Sequence, residues 1–312
     1  MDKNSQIISH NLSGTTVEQS IEETKQRILQ RGDLPQATVK RQLEIVEGLA
    51  GFELGRFLLK NKGLNGYWTD YIVNYYPAKG KLGGVDPQGR PFTEMEKMLL
   101  DNYFVPTQQR ATIFRRILQE HVKENASFCS VPCGLMRDLL SLDFSGCKNF
   151  HLTGIDLDGQ TIESAKALAP EYGLSAAAEF IRGNAWEMPF ENKFTLLTSN
   201  GLNIYEPDDK KVIELYRQFF KVLKLGGTLL TSVPASRDEW NSEYIGDEFL
   251  KERDLFWFDI IGVKWGCARS SKTTRQQLES VGFKNIEFIY DNSRMFPAVV
   301  AKKEQKVSAN HG

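Results

Sequence analysis

The stretch SVPCGLMRD, residues 130–138, decides the fold. It overlaps the apolar run SFCSVP and leads into GLMRDLLSL, so its local pattern is a strand, a turn and a helix start. In an open α/β sheet a ligand binds outside the carboxyl ends of the strands, and the loop after the first strand is the usual contact. Gly134 stands where backbone must approach a ligand closely, because glycine has no Cβ to clash. A single glycine also suits a plain strand-to-helix turn, so the loop takes its meaning from the downstream segments.

Those segments alternate. FHLTGID, AEFIRGN, FTLLTSN and TLLTSVP are strand candidates, and GQTIESAKALAPEYG and DDKKVIELYRQFFKVLKLGG are helices, the second expected to be capped by Gly226. The chain closes with a helix, TTRQQLESVGF, and two successive strands, NIEFIYD and FPAVVAKK. This order predicts an α/β fold: a doubly wound, mostly parallel seven-stranded sheet ending in an antiparallel hairpin on its edge.

Upstream the texture is helical. Residues 17–125 contain no good strand. VEQSIEETKQRILQRG ends at Gly32, and Val39, Leu43, Val46, Ala50, Leu54 and Phe57 repeat at helical spacing, which predicts one long helix. Thr93 and Glu96 have capping-box spacing. The expected organisation is a flexible N-terminus over 1–16, a helical accessory or lid region over 17–125, the sheet domain over 126–303 and a flexible tail over 304–312.

Composition narrows the partners. The 312 residues carry 39 Lys and Arg against 40 Asp and Glu, a net charge of -1, so no global attraction to nucleic acid or acidic lipid is expected. No apolar run approaches the roughly 18 residues of a membrane span, and no secretory pattern opens the chain, which predicts a cytoplasmic protein with a small-molecule partner. The oligomeric state is open, a homodimer included. Cys129, Cys133, Cys147 and Cys267 form no CxxC pair and the four histidines are scattered, so reduced structural thiols and no metal are expected.

Asp156 ends the second strand in GIDLDG, 22 residues after Gly134. A carboxylate there can accept from both hydroxyls of a ribose, whereas Asp158 fits the cap of the next helix. The ordered series SVPCG, LTGIDLDGQTIESAKALA, FIRGNAWEMPF, FTLLTSNGLNIYEPDD, LKLGGTLLTSVP and LESVGF, with the terminal hairpin, resembles the class I S-adenosylmethionine-dependent methyltransferases over about residues 126–303. The resemblance implies S-adenosyl-L-methionine as cofactor and S-adenosyl-L-homocysteine as product. It implies a cofactor loop at Pro132, Cys133 and Gly134, ribose binding by Asp156 and an adenine site at Leu157, Asn184 and Ala185. It also puts Asn200 and Gly201 beside the methionine portion and the reacting methyl. The chain departs from the family pattern at Pro132 and Met136, which replace glycines, at Ser130, where an acid is usual, and at Asn184, which replaces Asp.

Two other readings compete. An NAD-dependent oxidoreductase also uses a turn glycine and a ribose acid, but its G-x-G-x-x-G loop must bring backbone to a pyrophosphate; residues 132–137 are Pro-Cys-Gly-Leu-Met-Arg. A non-catalytic cofactor- or nucleotide-binding regulatory protein would tolerate the altered loop. For methylation of an O or N atom on a small, partly apolar or aromatic molecule, Tyr205 and Asn203 are the candidates to orient the acceptor, packing being the alternative for Tyr205. Arg110 is the candidate partner of the methionine carboxylate, with an exposed helix charge as the alternative. Tyr67, Trp68 and Tyr71 in the aromatic-rich helical region, and Trp240, Trp265 and Arg269 in the long insert Ala235–Lys272, are the candidate lid and substrate residues.

Overall fold

The computed structural model describes residues 14–79, 84–263 and 266–304. Seven strands form one sheet: β1 Ala126–Ser130, β2 Phe150–Asp156, β3 Ala178–Arg182, β4 Phe194–Ser199, β5 Leu223–Ser232, β6 Phe283–Ile289 and β7 Ala298–Lys303. Their order is β3-β2-β1-β4-β5-β7-β6. The first five strands pair in parallel, and β7 lies antiparallel between β5 and the edge strand β6. This is the doubly wound sheet with a terminal hairpin, and the strand order reverses between β1 and β4.

Alternation along the strands builds two cores, because successive side chains point to opposite faces. Cys129, Leu197, Leu229 and Val299 join one apolar cluster, while their neighbours Phe128, Leu196, Leu230 and Ala298 join the other. The helix Asp209–Val222 covers the first face with Val212, Leu215, Tyr216 and Phe219, a three-and-four spacing. The helix Val105–Glu120 contributes Phe114, Ile117 and Leu118 to the second cluster.

Gly226 does not cap a helix. The helix stops at Val222, Leu223 is already extended, and β5 begins there. Leu223 pairs with Phe194 but Thr228 pairs with Leu196, so the extra residues bulge out of the ladder, and Gly226 takes the positive φ of 78° that the bulge requires.

The chain divides into two compact units. One comprises residues up to Gln108 together with Asn241–Gly266; the other comprises Gln109–Trp240 and the residues from Cys267 onward. These limits differ from the expected boundary at 125/126, and the reason is apolar. Leu255, Phe256, Trp257, Ile260 and Ile261 of the insert are buried in one cluster with Leu49, Leu54, Leu58, Tyr76 and Leu99. Arg27 fastens the same segment by donating to the carbonyls of Asp259 (2.6 Å) and Ile260. The expected frayed ends fall almost wholly outside the described residues. Among those described, no helix is long and apolar enough to cross a membrane.

Within the helical unit the expected long helix is two, Val39–Ala50 and Glu53–Asn61. They turn so sharply that a Cβ on Gly55 would stand 2.1 Å from the Leu49 carbonyl oxygen. Thr93 caps Glu94–Met98 through the Glu96 amide (3.1 Å), but the Glu96 carboxylate accepts from the Tyr71 hydroxyl (2.7 Å). Gly55→Ala is expected to destabilise by about 2 kcal/mol or more, lowering the melting temperature by about 5 °C. Gly146→Ala, whose Cβ would meet nothing within 4 Å, should shift it by no more than about 1 °C in the same scan.

Candidate functional site at the ends of β1, β2 and β4

The loop after β1 is held from both sides. The Val131 amide donates to Thr198 O (2.9 Å) on β4, and the Cys133 amide to Ile155 O (2.8 Å) on β2. Between them Pro132, joined to Val131 by a cis peptide bond, has no amide hydrogen. Gly134, at φ 51°, donates to Asp156 Oδ2 (3.0 Å), and Met136 closes the turn by donating to Cys133 O (2.7 Å).

Met136 explains how the loop departs from glycine. Its backbone is left-handed (φ 55°), an arrangement that costs roughly 1 kcal/mol or more for a side-chain-bearing residue, and its side chain is fully buried. The thioether lies over Gly154 of β2, where a Cβ would be 2.8 Å from Met136 Sδ and 3.0 Å from Cys133 Sγ. Gly154 was absent from the expected site. A glycine inside a strand is the sequence signal for such a close approach, and here it makes room for the loop's side chains.

Asp156 accepts one amide on each oxygen: Gly134 on Oδ2 and Asp158 on Oδ1, each at 3.0 Å. Burial raises its pKa above the usual carboxylate value, and the two amides act in the opposite direction. A carboxylate has about four acceptor positions, so both oxygens retain capacity for a ligand hydroxyl. Asp158 caps the next helix through the Gln160 amide (2.9 Å), as expected. The Gly183 amide donates to Asp156 O (2.9 Å) and brings the end of β3 alongside. Asn184 Oδ1 accepts from the Trp186 amide (3.1 Å), which leaves it one acceptor position, and Ala185 is buried beside it. Leu157 is half-buried, with its carbonyl accepting from Arg182 Nε (3.2 Å).

At the end of β4, Asn200 Oδ1 is buried without a hydrogen-bond partner, and Gly201 has a φ of 87°. Arg110 reaches this point from its helix. A Cβ on Gly201 would lie 4.0 Å from Arg110 Nη1. The arginine is only 9% exposed, so the exposed-charge alternative does not describe it; its guanidinium sits 5.2 Å over the Phe296 ring, and its Nε has no partner. Burial lowers its pKa to about 10 while Asp291 and Tyr205 oppose the shift, so it remains cationic at neutral pH.

The other candidates divide between the two units. Burial pushes the Tyr205 phenol well above its ordinary value, so it is a neutral hydroxyl at physiological pH. Asn203 donates through Nδ2 to Tyr216 Oη (2.8 Å), and its Oδ1 is buried without a partner. Arg269 is buried and engaged within the chain, donating to Asp209 Oδ1 (2.7 Å), Asn203 O (3.1 Å) and Glu206 O (2.6 Å). Trp240 Nε1 donates to Ala235 O (2.9 Å). In the helical unit Tyr67, Trp68 and Tyr71 form successive edge-to-face contacts at 5.0 and 5.2 Å. Trp265 lies outside the described residues. Among the described residues no three His, Cys, Asp or Glu side chains gather as a metal site.

This sheet, with an acid at the end of β2 bonded to the glycine of the β1 loop, has the architecture of a methyltransferase, and residues 129–227 match the methyltransferase domain family. Residues 129–227 are thus a methyltransferase domain, set in a sheet of the class I methyltransferase fold. It is similar to a possible exported protein of Bordetella parapertussis, with 37% identity over 93% of this chain and 96% of that one; the crystal structure of that protein superposes with a TM-score of 0.85. The sterol 24-C-methyltransferase of Pneumocystis carinii is 30% identical over 112 residues, 35% of this chain and 28% of that protein. Sterol 24-C-methyltransferase ERG6A of Gibberella zeae is 28% identical over 126 residues, 39% and 31% of the two chains. The matched region spans about a third of the length of these curated relatives.

Arg269→Ala would leave the carbonyls of Asn203 and Glu206 without their donor. A loss of about 2–4 kcal/mol in urea denaturation is expected, and Arg269→Lys should recover only part, because an ammonium cannot reproduce the guanidinium fork.

Proposed function

We propose that the protein is an S-adenosyl-L-methionine-dependent methyltransferase that transfers a methyl group to an O or N atom of a small, partly apolar or aromatic molecule and releases S-adenosyl-L-homocysteine. The observation that carries this reading is the Asp156 carboxylate, anchored by the Gly134 amide with acceptor capacity remaining on both oxygens. The bound cofactor supplies an electrophilic methyl on a sulfonium, and holding the acceptor in line with it is the main demand on the protein.

In this reading Asp156 accepts from the two ribose hydroxyls, Leu157 and Ala185 flank the adenine, and Asn184 Oδ1 accepts from its amino group. Pro132, Cys133 and Gly134 line the cofactor. Asn200 and Gly201 face the methionine portion, and Arg110 pairs with its carboxylate. The partnerless Asn200 Oδ1 and Arg110 Nε fit such a polar ligand, because buried polar atoms are ordinarily satisfied. Tyr205, being neutral, orients the acceptor as a hydrogen-bonding hydroxyl and does not act as a base, with Asn203 beside it in sequence. A cytoplasmic setting is supported by four cysteines that are all free.

A dinucleotide fits less well. The amides of Val131, Cys133, Gly134 and Met136 are already bonded within the protein, and Pro132 has none, so the loop lacks the array of donors that cradles a pyrophosphate.

Thermal shift discriminates between the two. S-adenosyl-L-homocysteine at about 100 times its Kd should stabilise the protein by about 2.7 kcal/mol, and NAD should not. Stabilisation by NAD alone would overturn the reading. Asp156→Ala removes two charge-assisted hydrogen bonds and should weaken S-adenosyl-L-homocysteine about 100-fold. Because the ionised carboxylate is the competent form, affinity should fall as pH drops through its pKa, which burial places above the ordinary carboxylate value.

A further inference from the structure

The net charge of -1 conceals a local excess of lysine at the end of the sheet opposite Asp156. Lys224 follows the first residue of β5, and Lys221 lies in the last turn of the preceding helix. The strands beside β5 bring the others. Leu223 pairs with Phe194, next to Lys193; Thr228 pairs with Lys302, and Lys302 in turn with Lys284. Lys303 ties the group together by donating to the Phe220 and Leu223 carbonyls (2.8 and 2.7 Å) and to Asn192 Oδ1 (2.8 Å).

Little acid answers these charges. Glu179 pairs with Lys193 at 3.2 Å, Glu304 and Glu191 lie near Lys302 and Lys303, and Glu304 accepts from Asn285. The Lys302 and Lys303 ammonium groups donate to neutral acceptors, Thr228 Oγ1 (2.6 Å) among them, so their charge is not cancelled. Lys221, Lys224 and Lys284 are exposed, and no ion pair ties them to another described residue.

Within this patch stands one apolar side chain. A Cβ on Gly227 would be 2.7 Å from Lys224 O and 3.2 Å from Phe194 O, whereas one on Gly226 would meet nothing within 4 Å. The bulge therefore folds back on its base and leaves Leu225 and Gly226 at its tip. Leu225 is 58% exposed and is the only exposed large apolar side chain among the described residues of the sheet unit; Leu29, Tyr67, Val85, Tyr244 and Phe258 belong to the helical unit.

Point charges around a protruding leucine suit a surface that spreads negative charge over hydrocarbon. A nucleic acid favours guanidinium forks and exposed aromatic rings, and the exposed aromatics all lie in the helical unit. Protein interfaces are depleted in lysine. We infer that the β5 end of the sheet is a docking surface for an anionic lipid bilayer, with Leu225 entering the interface and Lys221, Lys224 and Lys284 meeting the headgroups. The binding is peripheral and reversible, because one leucine and a few charges fall short of an anchor. It leaves the Asp156 end of the sheet clear and does not depend on the cofactor reading.

The experiment is sedimentation of the full chain with vesicles of phosphatidylcholine alone or with about a third phosphatidylserine, at about 0.05 M and about 0.5 M salt. The protein should bind the phosphatidylserine vesicles at low salt, about tenfold more weakly at high salt, and leave the phosphatidylcholine vesicles free. Each exposed lysine is expected to contribute about fivefold, so Lys221→Gln, Lys224→Gln and Lys284→Gln combined should weaken binding about 100-fold. Leu225→Ser should weaken it about fivefold. Absence of binding to phosphatidylserine vesicles at low salt, or binding undiminished by the lysine substitutions, would overturn the inference. Undiminished binding by Leu225→Ser would overturn the assignment to lipid, as would tighter binding to a DNA duplex or to polyglutamate, which would give the surface to a different partner. Should a variant not fold, the lipid and salt dependence of the natural protein still decides.

Discussion

The hydrogen bond from the Gly134 amide to the Asp156 carboxylate is the constraint around which the sheet's ligand end is arranged. It ties the loop after β1 to the tip of β2, and the Asp158 amide holds the other oxygen and sets the start of the next helix. A carboxylate removed from water is costly unless it is hydrogen-bonded, so the loop conformation and the ionised state of Asp156 depend on each other. Gly134 is suited to this place because the bond is made at a φ of 51°, which a side chain would resist.

The rest of the loop is organised to leave that bond intact. Small residues in a loop allow close packing; here the small residue lies in the neighbouring strand. Gly154 gives Met136 and Cys133 the space they need, and the buried Met136 side chain fills the region beneath the turn. Pro132 takes nothing away from this arrangement, because the flanking amides of Val131 and Cys133 already bond to β4 and β2. The loop therefore presents carbonyls, one glycine and a carboxylate, a surface suited to a cationic or hydroxyl-bearing ligand and poor for a phosphate.

Much of this was legible in the sequence. The alternation after residue 126 gives the strands, and the acid ending FHLTGID gives Asp156, because strand ends and caps are set by local chemistry. What sequence periodicity does not carry is which apolar faces meet. The stripe from Val39 to Phe57 is continuous in spacing, yet the chain turns between Ala50 and Glu53 and packs Gly55 on the Leu49 carbonyl. The insert looks like a substrate segment, yet Leu255, Phe256 and Trp257 complete the core of the helical unit. Arg269 has the same composition signal as a ligand-binding arginine, but its long side chain is used to bind the loop carbonyls of Asn203 and Glu206. Gly226 looks like a helix end because a bulged strand and a helix cap both need a positive φ.

Arg110 and Asp138 show how burial prepares a site electrostatically. Desolvation lowers the pKa of the arginine to about 10 and raises that of the aspartate to about 6, so each group is displaced toward its neutral form while remaining charged at pH 7. Neither is relieved by a hydrogen-bonded ion pair in the described structure: Arg110 has an aromatic ring beneath it and Asp138 a serine hydroxyl beside it. A ligand bringing a carboxylate to Arg110 would restore the interactions that desolvation removed, and it would do so where water competes least. A chain with a net charge of only -1 has little long-range field with which to draw in such a ligand. Any preference for an anionic group at this end of the sheet would then reside in short-range pairing with a desolvated guanidinium that a helix holds beside the end of β4.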